Sequence, residues 1–571
     1  MPAESPNDAA AGQPSRPTTA FPAQNELASL PSLPAPPDAF AGSAVPVDGW
    51  DASTPPAVQD DPAAYDDASA WGDLARSVAL ARHDRLRLSP ALRCAATEVA
   101  RFYVEQHGLP TESLRRFVVA RCGGSTPDSL PVALSLTIPE GTTDAVAFEH
   151  TGPQLRQLVE ARIASGRWAL GLATARRGTR FAAVALLGTD EVTLEATSRV
   201  ADASHRAIVR GRLRDPAAAA MGLINRGQFG TRVCESDASL APPAFAVSCE
   251  LDPGDKAAWA EIVVRREGHV LSHTVADLLL TSGDVAEVQY RPRALGPPAL
   301  VADAAGLTSA LLDAINRTRV QAALRPLALA TKQSAHNLRL AGTFIDASFK
   351  HREDDADRIA LGLVAGWEVD GTIRDGSLFV GMVAPTRDAN VWLEFALERP
   401  VGRSVLLAPD VSRIAIGPAL PPGGASALGA VVTTYALFES PNHEADAAKV
   451  LARVQGARAA ASRAPLVPID AGPDLREQSA RILRGESEPF AALNVAMRSL
   501  VQRSRGVIHG FVVEANDLDV APIPDAVLHA PAGRVAVSVT HHRVKGAAWG
   551  QYVILYLLER DDDGSTPGVK A

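Results

Sequence analysis

One order of elements occurs three times along the chain, and it limits the possible folds more than any other feature. It is clearest in residues 307–439, where Leu307, Leu311 and Ile315 recur at helical spacing and mark one buried face. Pro326 ends that helix, and a second helical run occupies residues 331–349. Two β-rich runs joined by a turn, at residues 399–420 and 427–439, predict an antiparallel hairpin. The pattern is helix, helix, then sheet, which is typical of an α+β fold.

Two further segments follow this order with more divergence. Each has a helix, a proline step (Pro90 or Pro465), further helical runs, and a closing strand, turn and strand. We therefore predict a duplicated domain at residues 71–200, 302–440 and 444–562, because the intervals are too irregular for a short-period solenoid.

Short sequence motifs in the central segment resemble those of a known protein family. Residues 316–319 read Asn-Arg-Thr-Arg and lead to Pro-Leu at 326–327. Residues 399–403 read Arg-Pro-Val-Gly-Arg, and residues 414–417 read Ile-Ala-Ile-Gly. In the order and the residues of these motifs, the segment resembles the CAP superfamily of cysteine-rich secretory proteins, antigen 5 and pathogenesis-related proteins. The resemblance implies an αβα sandwich for each of the three segments.

The resemblance also implies a cleft, which in many CAP proteins holds two histidines and two glutamates and in some binds a metal. His351 is the candidate for the first histidine, while Gly402 occupies the place of the second. Glu368 and Arg403 complete the candidate cleft residues. Because the four-residue set is broken, we expect no metal, no cofactor and no catalytic residue here.

Residues 203–295 depart from this pattern. They contain short alternating runs separated by Gly, Pro and Asp turns, without helical stretches. Strands at regular spacing predict a small antiparallel sandwich, which resembles the immunoglobulin-like modules of bacterial surface proteins.

The two ends of the chain have a composition unlike that of the rest. Residues 1–70 are rich in Pro, Ala, Ser and Asp and have few large apolar residues, so we predict a disordered leader. This leader lacks the basic start and apolar stretch of a signal peptide. Residues 563–571 are predicted to be a solvated tail.

The four cysteines form two local pairs, Cys94 with Cys122 and Cys234 with Cys249. This spacing favours two disulfides inside their domains and therefore an oxidising compartment, either extracellular or in the cell envelope. Four buried free thiols remain the alternative.

Several function classes are excluded by what the sequence lacks. It has no nucleophile-elbow motif, no phosphate-binding loop, no H-E-x-x-H zinc-protease motif and no glycine-rich dinucleotide-binding motif. A net charge of −9 over 571 residues does not favour nucleic acid, and no apolar run is long enough for a transmembrane segment. We expect a secreted or envelope-tethered, non-catalytic protein that binds a lipid, a cell-wall component or a protein partner. A CAP-type hydrolase with a partly retained His/acid site and an intracellular scaffold are the alternatives.

Overall fold

The computed structural model describes residues 65–560 except for short gaps at 66, 83–84, 164–165, 196–198, 217, 268, 270, 284–289, 291–296, 350–351, 366, 368–371, 384–385, 421–426, 439–441, 470–471, 505, 516 and 544–549. The chain divides into two compact units. The first contains residues up to 363 with 378–409 and 415–433, and the second contains 364–377, 410–414 and the residues from 434 onward. Most of the predicted leader and the whole predicted tail lie outside the described residues.

The first segment is a sheet with helices on both faces. Its elements are α1 (Ala70–Ala81), β1 (Leu86–Leu88), α2 (Pro90–Gln106), α3 (Glu112–Arg121), β2 (Leu130–Thr137), α4 (Asp144–Arg162), β3 (Trp168–Arg177) and β4 (Arg180–Thr189). The strand order is β1-β3-β4-β2. One core cluster joins α1 and α4 to one face, and another joins α2 and α3 to the other. Ser89 caps α2 and Pro90 occupies its first turn, so the proline step begins a helix.

The second segment is a sandwich of two four-stranded sheets. Its strands are β5 (Val192–Leu194), β6 (Arg206–Leu213), β7 (Ala218–Arg226), β8 (Gly230–Val233), β9 (Glu235–Ser236), β10 (Ala244–Glu250), β11 (Ala257–Arg266) and β12 (His273–Thr281). The sheet orders are β5-β6-β10-β9 and β12-β11-β7-β8. Lettered along the chain, these orders read ABED and GFCC′.

The third segment contains α5 (Ala304–Gln321), β13 (Ala328–Leu329), α6 (Thr331–Phe349), α7 (Glu353–Ala365), β14 (Ile373–Val383), α8 (Ala389–Glu398), α9 (Pro400–Leu406), β15 (Arg413–Ala419) and β16 (Leu428–Leu437). Its sheet order is β13-β15-β16-β14. The sequence placed residues 400–406 in a β-rich run. The structure corrects this, because proline suits the first turn of a helix as well as a strand edge.

The fourth segment lies in the second unit. Its elements are α10 (His443–Ala460), β17 (Val467–Pro468), α11 (Gly472–Leu483), α12 (Pro489–Val501), β18 (Val507–Ala515), α13 (Asp525–Leu528), β19 (Arg534–His542) and β20 (Gln551–Arg560). Its sheet order is β17-β19-β20-β18. One core cluster involves α10 and another involves α11 and α12.

The three α/β segments have the same sheet order, in which the first and third strands along the chain are neighbours and the second strand is an edge. The α+β prediction is confirmed. Sequence reasoning missed the second strand in each of these three segments. For β18 the reason is that none of its residues is fully buried, so the strand lacks a buried apolar face. Among the described residues, no helix is both long and apolar enough to cross a membrane.

Candidate functional site

Two acidic side chains face each other across neighbouring strands of the sandwich, in the first unit. Glu261 on β11 pairs in register with Asp277 on β12, and the two residues are 0% and 3% exposed. Their neighbours on the same face, Trp259 and Leu279, pack on the core of the first α/β segment. Buried like charges at directly opposed positions destabilise a sheet unless cations compensate them.

Two arginines from other segments supply that compensation. Arg116 on α3 donates from Nη2 to Asp277 Oδ1 at 2.6 Å and donates from Nε to the same carboxylate. Its guanidinium also lies 3.8 Å from the centre of the Trp259 ring. Arg399, just before α9, places Nη1 3.5 Å from Glu261 Oε1 and also pairs with Asp128. The charged network therefore joins all three segments of the first unit.

Glu261 is incompletely satisfied within this network. Its Oε2 accepts a hydrogen bond from the Val401 backbone N–H at 2.9 Å. Its Oε1 has no hydrogen-bond donor among the described residues, although Arg399 lies at ion-pair distance. Burial and the nearby Asp277 charge raise the pKa of this carboxyl, against the opposing effect of the arginines. Such a group can accept a hydrogen bond from a bound ligand.

Glu261 and Arg399 line a chamber of about 200 Å³. Its apolar wall contains Phe344 and Ala347 from α6 and Phe379 from β14, and these three side chains are almost fully buried. A chamber with an apolar wall and a few buried polar groups is the usual form of a small-molecule site.

An open cleft of about 700 Å³ adjoins the chamber, because both are lined by Glu191, Arg266, His273 and Glu353. His273 Nε2 lies 2.7 Å from Glu191 Oε2 and 3.4 Å from Glu353 Oε1. Burial lowers the pKa of His273, but the hydrogen bond and charge of Glu191 and the charge of Glu353 outweigh it, so the pKa is raised. The ligand atoms of these three residues lie within 4.8 Å of one another, a spacing that a metal ion could bridge.

The second unit has a groove of its own, of about 560 Å³, between α10 and α11 over β19. Its lining is mostly Ala, Val, Leu and Ile. Among its polar groups are the hydroxyls of Ser479 and Ser538, which hydrogen bond to each other at 2.8 Å. It has no buried charge comparable to Glu261 among its lining residues.

The candidate cleft residues from the sequence do not meet in either place. His351 and Glu368 lie outside the described residues. Arg403 is 6% exposed and donates to backbone carbonyls of Leu397, Gly227 and Gly230, which is a structural role. A Cβ at Gly402 would lie 2.0 Å from Ala396 O, so this position has no room for the family histidine.

The family-like word at residues 316–319 also has a structural role. Asn316 exchanges two hydrogen bonds with the Leu327 backbone, and Arg319 donates to the carbonyls of Leu406 and Ala408. In the second unit, Gln455 and Arg458 make the corresponding bonds.

Both predicted cysteine pairs are joined, Cys94 to Cys122 and Cys234 to Cys249, and no described cysteine is free. Each bond links residues of one segment, as expected from their spacing.

Sequence reasoning missed the charged network and the cluster around His273. Part of the signal was present, since Glu261 and Asp277 interrupt otherwise apolar runs in β11 and β12. A charge in such a run indicates a buried partner, but not which residue supplies it. Glu191 and Glu353 carry no such signal, because acidic residues at loops and helix starts are common.

No protein-family model matches the chain, and no curated protein matches it. Among solved structures, a cysteine-rich secretory protein from Staphylococcus aureus is similar with a TM-score of 0.18 and 8% identity, over 43% of this chain and 87% of that one. This neighbour belongs to the CAP family, but a similarity so weak carries no argument about the fold or function of this chain.

Proposed function

We propose that the protein is a non-catalytic binding protein whose ligand occupies the chamber of the first unit. The observation that carries the proposal is the fully buried Glu261 carboxylate, which faces an apolar wall with one oxygen free of hydrogen bonds among the described residues. Such an arrangement favours a ligand with an apolar body and a cationic or hydrogen-bond-donating end.

The size and charge of the chamber favour one of the ligand classes expected from the sequence. About 200 Å³ accommodates a small molecule or the end of a lipid, and not a folded protein surface. Four carboxylates (Asp128, Glu191, Glu261, Glu353) and two arginines (Arg266, Arg399) line it, so its formal charge favours a cationic group over an anionic one. The proposed ligand is therefore a small amphipathic amine, such as the amino-bearing part of a lipid or of a cell-wall component.

Hexylamine and hexanoate are matched probes for this proposal, because they share chain length and differ in charge. Calorimetric titration of the full chain should show binding of hexylamine and none, or much weaker binding, of hexanoate. The Ala347→Leu variant fills the chamber and should abolish hexylamine binding, since Ala347 is 0% exposed and lines the wall. The matched control, Ala480→Leu, fills the groove of the second unit and should bind like the wild type.

Two results would contradict the proposal. Tighter binding of hexanoate than of hexylamine would show that the Glu261 carboxylate does not bind the charged end of the ligand. Loss of hexylamine binding in Ala480→Leu, with binding retained in Ala347→Leu, would indicate that the ligand binds in the apolar groove of the second unit. Thermal unfolding of each variant shows whether the substitution leaves the fold intact.

We further propose that the protein works in an oxidising compartment, outside the cell or in its envelope. The two disulfides support this, because such bonds persist where glutathione and thioredoxin do not reduce them. Mass spectrometry of protein from its native source, alkylated without reduction, should find no modified cysteine. Four alkylated thiols would support the intracellular scaffold instead.

A further inference from the structure

We propose that Glu191, His273 and Glu353 form a binding site for one divalent transition-metal ion of the Zn²⁺ type. One imidazole nitrogen and two carboxylate oxygens lie within 4.8 Å of one another. None of these residues belongs to the cleft that the family resemblance implies, and the proposal does not depend on the amine proposed for the chamber.

The distances suit a small ion after a slight adjustment. His273 Nε2 and Glu353 Oε1 are 3.4 Å apart. Two ligands of a tetrahedral ion with bonds of about 2.1 Å stand at about this separation. His273 Nε2 and Glu191 Oε2 are closer, at 2.7 Å, because a hydrogen bond joins them. Rotation of the Glu191 carboxylate would open this pair.

Arg266 forms an ion pair with one of the proposed ligands. Its Nη1 lies 2.7 Å from Glu353 Oε2, which leaves Oε1 directed to His273. Arg266 also pairs with Asp215, so that its own position is fixed. Outer partners of this kind orient metal-binding carboxylates. The four charged groups Glu191, Glu353, Asp215 and Arg266 sum to a formal charge of −2, which a divalent cation neutralises.

The ligand set also indicates the class of ion. A neutral imidazole with two carboxylates suits Zn²⁺ and its transition-metal neighbours, whereas Ca²⁺ and Mg²⁺ prefer sites made of oxygen alone. Three protein ligands leave a coordination position open to the cleft or the chamber.

The ligands come from three segments of the first unit: the link after β4, the first residue of β12 and the first residue of α7. An ion bound to all three would favour the folded arrangement over any state in which the segments separate. Bound Zn²⁺ should therefore raise the unfolding temperature of the first unit.

The test uses the untagged full chain and Zn²⁺ alone. Competition with a chromogenic chelator should give one tight site per chain in the wild type. His273→Gln and Glu353→Gln should each weaken that site by on the order of 100-fold, and Arg266→Gln by about 10-fold, in line with the effects of ligands and their outer partners. Zn²⁺ should raise the unfolding temperature of the wild type, and Ca²⁺ should not.

His269→Gln is the matched control, because His269 lies in the same region and pairs with Asp354 without joining the cluster. It should bind Zn²⁺ like the wild type, which separates this site from stray binding by the other histidines. Glu191→Gln provides a further ligand variant if His273→Gln does not fold. Equal Zn²⁺ affinity in the wild type and all ligand variants, no tight binding by the wild type, or equal stabilisation by Ca²⁺ would each overturn the proposal.

Discussion

A single buried arginine organises the turn that follows the first helix of the fourth segment. Arg458 is 0% exposed, and its guanidinium donates to the carbonyls of Ala464, Val527, Leu528 and Ala530. Arg319 has the same role in the third segment. The Asn-x-x-Arg motif at residues 316–319 therefore has a structural role that is independent of any ligand.

Replacing Arg458 by Met should lower the free energy of unfolding of the second unit by about 3 kcal/mol, because several buried carbonyls lose their donor while the side-chain volume is kept. Urea denaturation followed by circular dichroism measures the effect. Arg463→Met is the control, since Arg463 is exposed and should change stability little. A loss of less than 1 kcal/mol in Arg458→Met would show that other groups satisfy these carbonyls.

His541 provides a pH dependence with a defined sign. It is 6% exposed and stacks on Phe438 with ring centres 4.4 Å apart. Burial, with a smaller effect of nearby His443, lowers the pKa of His541 to about 4. Because the folded state resists protonation, its stability is full above the unfolded pKa of about 6.5 and falls as the pH drops toward 4.

The variant His541→Phe should therefore be more stable than the wild type at pH 4.5, relative to pH 7.5, by about 2 kcal/mol. Denaturation of both proteins at the two pH values measures this difference. His509→Phe, on strand β18 of the same sheet and away from His541, is the control. An advantage that does not change with pH would mean that His541 does not titrate between these values.

At the scale of elements, glycines decide how closely helices approach one another and the sheets. A Cβ at Gly171 on β3 would lie 2.1 Å from the Arg93 backbone nitrogen on α2, and one at Gly417 on β15 would lie 2.5 Å from the Asn337 backbone on α6. In the fourth segment, Ser538 on β19 takes the place of such a glycine, and its hydroxyl hydrogen bonds to the hydroxyl of Ser479 on α11. The groove along β19 lies beside this looser contact.

The junction between α8 and α9 is equally close, and it gives a direct test of the missing histidine. Gly402→Ala should destabilise the first unit by about 3 kcal/mol, since its Cβ would overlap Ala396 O and the two helices would have to separate. Gly362→Ala on α7, where the Cβ meets open space, should be neutral or stabilising. Calorimetry of both variants measures this. A tolerated Gly402→Ala would reopen the position for a side chain.

At the scale of the whole molecule, the sandwich of the first unit binds its two neighbours through charged groups that could not be buried alone. Asp277 is held by Arg116 of the first α/β segment, and Glu261 by Arg399 of the third. Asn225 on β7 also donates to the Glu398 carbonyl at 2.6 Å. We therefore expect the described segments of the first unit to unfold together.

Arg116→Met should remove this coupling, because Asp277 would remain buried without its main partner. The expected loss is about 3–5 kcal/mol, with unfolding separated into more than one transition in scanning calorimetry. Adding Asp277→Leu should recover most of the loss by removing the unpaired charge. If the single variant keeps one transition at the original temperature, the apolar contacts alone hold the segments together.

The mixed α and β content and the two cysteine pairs could be predicted from the sequence, because periodicity, turn residues and local spacing are properties of short stretches. The edge strand β18 could not, since its residues are neither fully buried nor alternating. Gly402 was matched to the family histidine by comparing sequence motifs. Only the distance from a Cβ at this position to the Ala396 carbonyl oxygen explains why no histidine fits.

The candidate site depended entirely on the tertiary structure. Glu191, His273 and Glu353 are separated by about eighty residues each along the chain, and Arg399 meets Glu261 across 138 positions. A charge in the sequence does not specify its partner, since the partner is chosen by how whole segments pack. The sequence by itself determined the segments and their elements, and the packing of those segments determined which charges are buried together and where a chamber remains.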